Sequence, residues 1–282
     1  MDNRIKQILF LGTGTSEGVP VIGCDCPVCV SDNPKNKRTR TSILLELSNG
    51  KNILIDTSID LRQQCLTHQI RHIDAVLFTH CHADHVFGID ELRRFNKLQQ
   101  AVIPCYAAPH TADEIKRIFQ YIFGTAPQEG GGIPKLTLTD IAGAFECHGL
   151  PIMPIPLKHG RVEVTGFRFE NIAYLTDCSA IPETSFELLK DVEILILDAL
   201  RIRGHSTHFN LDQAIETAVR IGAPHTYFTH MAHDLEHEAT NQQLPPRMRL
   251  AYDGEALTIT PPVIPPIPLP SPLKSSPAES SA

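Results

Sequence analysis

No apolar run in this 282-residue chain approaches the ~20 residues that a bilayer-spanning helix needs. A secretory leader is not expected either, because Met1 to Lys6 is charged and leads directly into a strand-like run. Excess positive charge is missing too: the formal net charge is -7, which argues against a surface that grips nucleic acid as a whole and leaves only a local basic patch for that role. The glycine turn Gly12-Thr13-Gly14-Thr15-Ser16-Glu17-Gly18 follows the apolar run Gln7 to Leu11, but it lacks the G-x-G-x-x-G spacing and a helix behind it, so a dinucleotide is not expected. A content of 42% hydrophobic and 20% charged residues fits a soluble globular protein, and the length suits a single large α/β sandwich. We therefore expect a cytoplasmic protein with reduced cysteines and no membrane contact.

Against these absences stands one stretch dense in chemistry, Val76-Leu77-Phe78-Thr79-His80-Cys81-His82-Ala83-Asp84-His85. The run Ala75 to Thr79 is short, apolar and strand-like, while Val86 to Phe95 has helical spacing, so His80, His82, Asp84 and His85 fall in the turn between them. A helix would put His80 and Asp84 on one face but not His82. An irregular turn can splay all four around two centres. Imidazoles with a carboxylate are borderline ligands that suit zinc, manganese or iron better than calcium.

The H-x-H-x-D-H string resembles the signature of metallo-β-lactamase-fold hydrolases, and further motifs follow in the expected order: His159 in Leu157-Lys158-His159-Gly160, Asp177 in Leu175-Thr176-Asp177-Cys178 and His230 in Phe228-Thr229-His230-Met231. The resemblance implies an α/β (α+β) fold, a four-layer αββα sandwich. It implies two catalytic divalent ions, zinc or manganese, one on His80, His82 and His159 and one on Asp84, His85 and His230, with Asp177 bridging. Asp56, ending the strand-like run Asn52 to Asp56, would orient a ligand histidine.

Gly23-Cys24-Asp25-Cys26-Pro27-Val28-Cys29 places three thiols within six residues, which in a reducing compartment suggests a zinc knuckle that still needs a fourth ligand. The segment resembles the zinc-binding insertion of PhnP-type phosphodiesterases of the carbon-phosphorus lyase pathway. That resemblance implies a structural zinc on Cys24, Cys26, Cys29 and His233, in an insertion near 23–40. It also implies that His208, in Ser206-Thr207-His208-Phe209-Asn210, assists at the phosphate without holding metal, so that His208, Asp84 and Asp177 carry the catalysis. The implied reaction is hydrolysis of small phosphate diesters, cyclic ones included, by a metal-bridging hydroxide.

Three other readings share part of this pattern. A ribonuclease Z-like nuclease has the same ligands, but the segment between Asp177 and Asp198 is too short for its tRNA arm. A glyoxalase II-type thioesterase would have no counterpart of His208. A non-catalytic metal-binding scaffold would not need the complete ligand set. The expected partner is a small phosphate ester, RNA being the weaker alternative, with a homodimer left open.

The basic run Lys35-Asn36-Lys37-Arg38-Thr39-Arg40 reads as a solvated loop, the alternative being that Arg38 or Arg40 attracts phosphate. Asp198 reads equally as a turn residue or as support for the site; His205 has no assignment, and His110 and His148 read as structural or exposed. Asn210 is placed to cap a helix over Leu211 to Ile221, and Arg249 to Tyr252 and Ala256 to Thr260 read as a closing hairpin around Asp253-Gly254. Leu61 to His72 and Ala108 to Phe123 carry helical signals, and Gly124 to Pro134 reads as a mobile loop near the site entrance. The hydrolase domain is taken as 1–260, followed by a Pro/Ser-rich tail, 261–282, that cannot bury a core and is expected to be disordered.

Overall fold

The computed structural model describes residues 4–124 and 132–259, so the tail at 261–282 and most of the expected entrance loop lie outside the described residues. Two seven-stranded sheets form the centre. The first holds β1 (Ile5–Gly12), β2 (Ser42–Leu47), β3 (Asn52–Ile55), β4 (Ala75–Phe78), β5 (Ile103–Ala107) and β6 (Leu136–Asp140) in sequence order. The second holds β7 (Phe145–Cys147), β8 (Leu150–His159), β9 (Val162–Phe169), β10 (Ile172–Leu175), β11 (Ile194–Asp198), β12 (His225–Thr229) and β13 (Met248–Leu250). Then β14 (Ala256–Thr258) returns to the first sheet beside β1.

Both sheets follow one plan. Antiparallel pairs come first, through β3 and through β10, and parallel pairs follow. Parallel neighbours require crossovers, and the helices supply them. In the first sheet these are α1 (Leu61–Thr67), α2 (Ala83–Val86) with α3 (Leu92–Gln99), and α4 (Pro109–Ile118) with α5 (Gln120–Phe123). In the second they are α6 (Glu183–Leu188), α7 (Leu211–Ile221) and α8 (His237–Asn241).

Strands covered on both faces read as unbroken apolar runs, as β4 (AVLF) and β10 (IAYL) do. Ile8, Phe10, Leu45 and Ile55 meet Ile152, Phe167, Tyr174 and Ile196 between the sheets. Leu54, Val76 and Phe78 turn outward beneath Leu61, Leu92 and Ile115, while Leu175, Leu197 and Phe228 lie beneath Leu189, Ala214 and Ala218. The result is the expected four-layer αββα sandwich. The expected cap is present: Asn210 Oδ1 accepts from Gln213 N at 2.9 Å, the Gln213 side chain answers at Asn210 N, and Gly222 ends α7 at φ 80°.

Two expectations are corrected. The helix from Leu61 stops at Thr67 instead of reaching His72, because Gln69 turns left-handed at φ 54°. The closing hairpin does not form: β13 runs parallel to β12 in one sheet and β14 antiparallel to β1 in the other. Asp253 therefore sits in the crossing between sheets. Its Oδ1 accepts from Thr13 N (2.9 Å) and Oγ1 (2.8 Å), and its Oδ2 from Thr39 N (2.7 Å) and Oγ1 (2.7 Å). One carboxylate thus fastens the loops after β1 and before β2 to the end of the fold.

Asp253→Ala leaves these four donors without an acceptor and should cost about 2–4 kcal/mol of stability. Asp253→Asn, which keeps an acceptor for one threonine, should cost less. Denaturant unfolding reads both, and a loss under about 0.5 kcal/mol for the alanine variant, the size of an ordinary surface change, would contradict the role.

Candidate active site

The parallel strands of both sheets end along one edge of the sandwich, and the residues immediately after them project over it. Asp56 follows β3, Thr79 and His80 follow β4, Asp177 comes just after β10, and His230 follows β12; His159 and Asp198 close β8 and β11. Asp56, Asp177 and His230 turn out of the pleat in the left-handed region, at φ 62°, 54° and 59°. Asp and His tolerate this region better than branched residues do, and three instances at one edge store strain where side chains must be aimed.

Two groups of side chains result. His80, His82 and His159 bring ligand atoms within 4.8 Å of one another, and so do Asp84, His85, Asp177 and His230. Asp177 reaches both: its Oδ1 lies 3.9 Å from His80 Nε2 and 3.2 Å from His230 Nε2, and its Oδ2 lies 3.2 Å from His85 Nε2. His230 Nε2 is also 3.5 Å from Asp84 Oδ2. Every member is buried except His82.

The far sides of the imidazoles are anchored. His85 Nδ1 donates to Asp56 Oδ2 at 2.7 Å, and Asp56 in turn accepts from Thr79 N and Oγ1, both at 2.8 Å. His159 Nδ1 donates to the Thr207 carbonyl at 2.8 Å. His80 Nε2, His85 Nε2 and His230 Nε2, however, are buried with no hydrogen-bond partner. Bare nitrogens converging on buried carboxylates, with the His80, His85 and His159 rings held from behind, fit divalent metal ions.

Electrostatics point the same way. Burial pushes His80 well down and His159 to about 4, so both rings are neutral and offer lone pairs. At His85 and His230 burial also opposes charge, but the carboxylates outweigh it. Asp177 and its neighbours raise His85 well above its ordinary value and His230 to about 9. The carboxylates demand positive charge, and protons supply it when metal does not.

His208 lies beside both groups. Its Nδ1 donates to Asp198 Oδ2 at 2.9 Å, its ring stacks on His230 with centroids 4.8 Å apart, and it meets His159 edge-on at 4.6 Å. Asp198 Oδ2 also accepts from Cys178 N at 3.0 Å, so Asp198 supports the site and is not merely a turn residue. The shared signal was in the sequence: Asp198 and Asp56 both end a buried apolar strand. Thr207, whose carbonyl steers His159, had no such signal. His205 stays exposed, its ring 5.3 Å from that of His208.

The knuckle residues also assemble. Sγ of Cys24, Cys26 and Cys29 lie 3.3, 3.5 and 3.4 Å from His233 Nδ1. The Cys29 backbone N–H pulls the Cys26 thiol down to about 7, while burial pushes Cys29 up to about 11. The basic run is corrected here. Arg38 is 1% exposed and donates to the carbonyls of Ala232 (2.8 Å) and Leu235 (2.5 Å), and Arg40 pairs with Asp60 at 3.1 Å. Neither is free for phosphate; Arg38 braces the segment that presents His233.

Residues 51–231 match the model of the beta-lactamase superfamily domain. The chain belongs to the beta-lactamase superfamily. Within this superfamily it belongs to the PhnP family: a crystal structure of a new diphosphatase from that family is 42% identical, superposes with a TM-score of 0.83, and covers 90% of this chain and 98% of its own. An octanoyltransferase of Porphyromonas gingivalis is 38% identical over 250 residues, 88% of this chain, but the chain spans only 50% of that relative's length. A ribonuclease Z of Bradyrhizobium diazoefficiens is 29% identical over 149 residues, 50% of this chain and 47% of the enzyme. Family and fold support a hydrolase, and the two His/Asp groups are ones that could hold metal ions. No helix among the described residues is long and apolar enough to cross a membrane.

The carboxylates around His85 and His230 favour their protonated forms, so metal taken up on these two rings should displace at least about one proton per chain at pH 7. Titration calorimetry in buffers of different ionisation enthalpy measures this release. Loading without release would contradict the charge balance derived above.

Proposed function

We propose that this beta-lactamase superfamily member is a metal-dependent phosphodiesterase that hydrolyses small phosphate diesters, cyclic ones included. The observation that carries the reading is the buried Asp198–His208 pair set against both ligand groups, joined by the 42% identity to a PhnP-family diphosphatase.

In this reading His80, His82 and His159 would hold one divalent ion, Asp84, His85 and His230 would hold a second, Asp177 would serve both, and zinc or manganese fits the donor set. Bound there, two divalent ions supply Lewis-acid neutralisation of phosphate charge and lower the pKa of water toward about 7. The chain's own residues do the rest. Asp56 fixes His85 in the tautomer that presents Nε2 inward. The Thr207 carbonyl does the same for His159. Asp198 accepts from His208 Nδ1 and stabilises the doubly protonated ring, whose Nε2–H then gives its proton to the leaving oxygen or a hydrogen bond to a phosphoryl oxygen. A diester suits this site better than a monoester, whose second negative charge resists a nucleophile and adds to the buried carboxylates. The structural zinc on Cys24, Cys26, Cys29 and His233 belongs to the same proposal, as a closed site that stabilises the fold. Octanoyl transfer is not proposed, since that name belongs to a relative twice the length of the matched region.

His208→Ala should lower kcat on a diester by roughly 10²- to 10³-fold with metal content unchanged. Asp198→Asn should lower it less, by about tenfold or more, through loss of the tautomer. If His208 protonates the leaving oxygen, the loss shrinks for esters with good leaving groups. A panel of bis(p-nitrophenyl) phosphate, p-nitrophenyl phosphate, a cyclic nucleotide and a thioester tests the class. Preference for the monoester or the thioester would overturn it, as would near wild-type turnover of a cyclic phosphate by the alanine variant.

A further inference from the structure

Among the described residues, the cations of this acidic chain are largely occupied. Lys6, Lys51, Arg93, Arg117 and Lys158 pair with carboxylates, and Arg38 is spent on backbone carbonyls. Arg62, Arg71 and Arg94 are among the exceptions, which also include Lys97, Lys135, Arg161, Arg203 and Arg247: exposed, with no carboxylate of the described residues in ion-pair reach; what sets the three apart is that they share one groove. All three line one groove of about 270 Å³ between α1 and α3, on the face of the first sheet away from its partner sheet.

The groove is built from a duplicated pattern. Helix α1 presents Arg62 and, one turn on, Leu66; helix α3 presents Arg94 and, one turn on, Leu98. The two leucines are 58% and 51% exposed, above a floor that includes the buried Leu61 and Phe95. Glu91 is the one carboxylate among the lining residues. Exposed leucine over an apolar floor loses contact with water at a gain in free energy, and arginine forks bind carboxylates in two-point fashion. The groove is open to solvent, which suits a ligand that keeps one face wet and not a small molecule that must be enclosed.

We propose that the groove between α1 and α3 docks an acidic amphipathic helix of a partner protein. Apolar residues of that helix, spaced i, i+3, i+4, i+7, lie on Leu66 and Leu98, and its flanking carboxylates meet Arg62, Arg71 and Arg94. The walls of the groove, α1 and α3, follow in the chain the segments that carry Asp56 and His85, which are tied to each other where Thr57 N bonds to the His85 carbonyl at 2.8 Å and Gly88 N to the Thr57 carbonyl at 3.0 Å.

The test is fluorescence anisotropy of a labelled helical peptide with leucines at that spacing between glutamates, against a scrambled peptide of the same composition, with the metal-loaded full chain. Saturable binding of the patterned peptide is expected, weakening with salt. Arg62→Glu with Arg94→Glu should weaken it by about tenfold or more, and Leu66→Ser with Leu98→Ser comparably. Circular dichroism, metal content and diester turnover should be unchanged in both double variants. Equal binding of the scrambled peptide, or affinity indifferent to both double variants, would overturn the proposal. So would an absence of peptide binding, whether the groove instead takes octanoate, anionic lipid vesicles, a second copy of the chain, or nothing.

Discussion

Four buried carboxylates, Asp56, Asp84, Asp177 and Asp198, stand at one edge of the sandwich, and the arrangement around them answers their need for positive charge. Buried charge is tolerated only when paired or bound to metal. Asp56 is met by His85, Asp198 by His208, and Asp84 and Asp177 by His85 and His230 together. The histidines between carboxylates carry protons in the metal-free chain, whereas His80 and His159, shielded by burial, do not. The edge thus concentrates negative charge that suits cations, and the sheets are the frame that keeps the carboxylates from relaxing apart.

The frame works because several parallel strands stop at the same level and the next residue leaves the pleat. Left-handed backbone at Asp56, Asp177 and His230 converts a strand end into a side chain aimed across the edge. The loop after β1 completes the brace. Met231 N bonds to the Thr13 carbonyl at 2.9 Å and Thr15 N to the Met231 carbonyl at 3.1 Å, while Asp253 holds Thr13 and Thr39. The segment past His230 is therefore pinned from one side by this loop and from the other by Arg38 and the cysteine knuckle.

Much of this was legible in the sequence because the signals are local. The H-x-H-x-D-H string occupies six positions, β4 is an apolar run with one period, and Asn210 with Gln213 writes its own cap. What was not legible depends on partners distant in the chain. Arg38 looks solvated until carbonyls 194 and 197 residues away accept its protons. Strands β13 and β14, three residues each with Asp253-Gly254 between, carry every local mark of a hairpin; only the sheet that each joins decides otherwise. Asp198 ends a buried apolar strand as Asp56 does, but that position suits a turn residue equally, and it is His208 Nδ1 at 2.9 Å that separates the two roles.

The central claim is that one carboxylate, Asp177, holds two metal ions at this edge independently of the cysteine knuckle. Elemental analysis of fully reconstituted protein tests it most directly, comparing wild type with Asp177→Ala. The account predicts about three metal ions per wild-type chain and about one, retained at the knuckle, in the variant. A single ion in the wild type, or a full complement in Asp177→Ala, would contradict it.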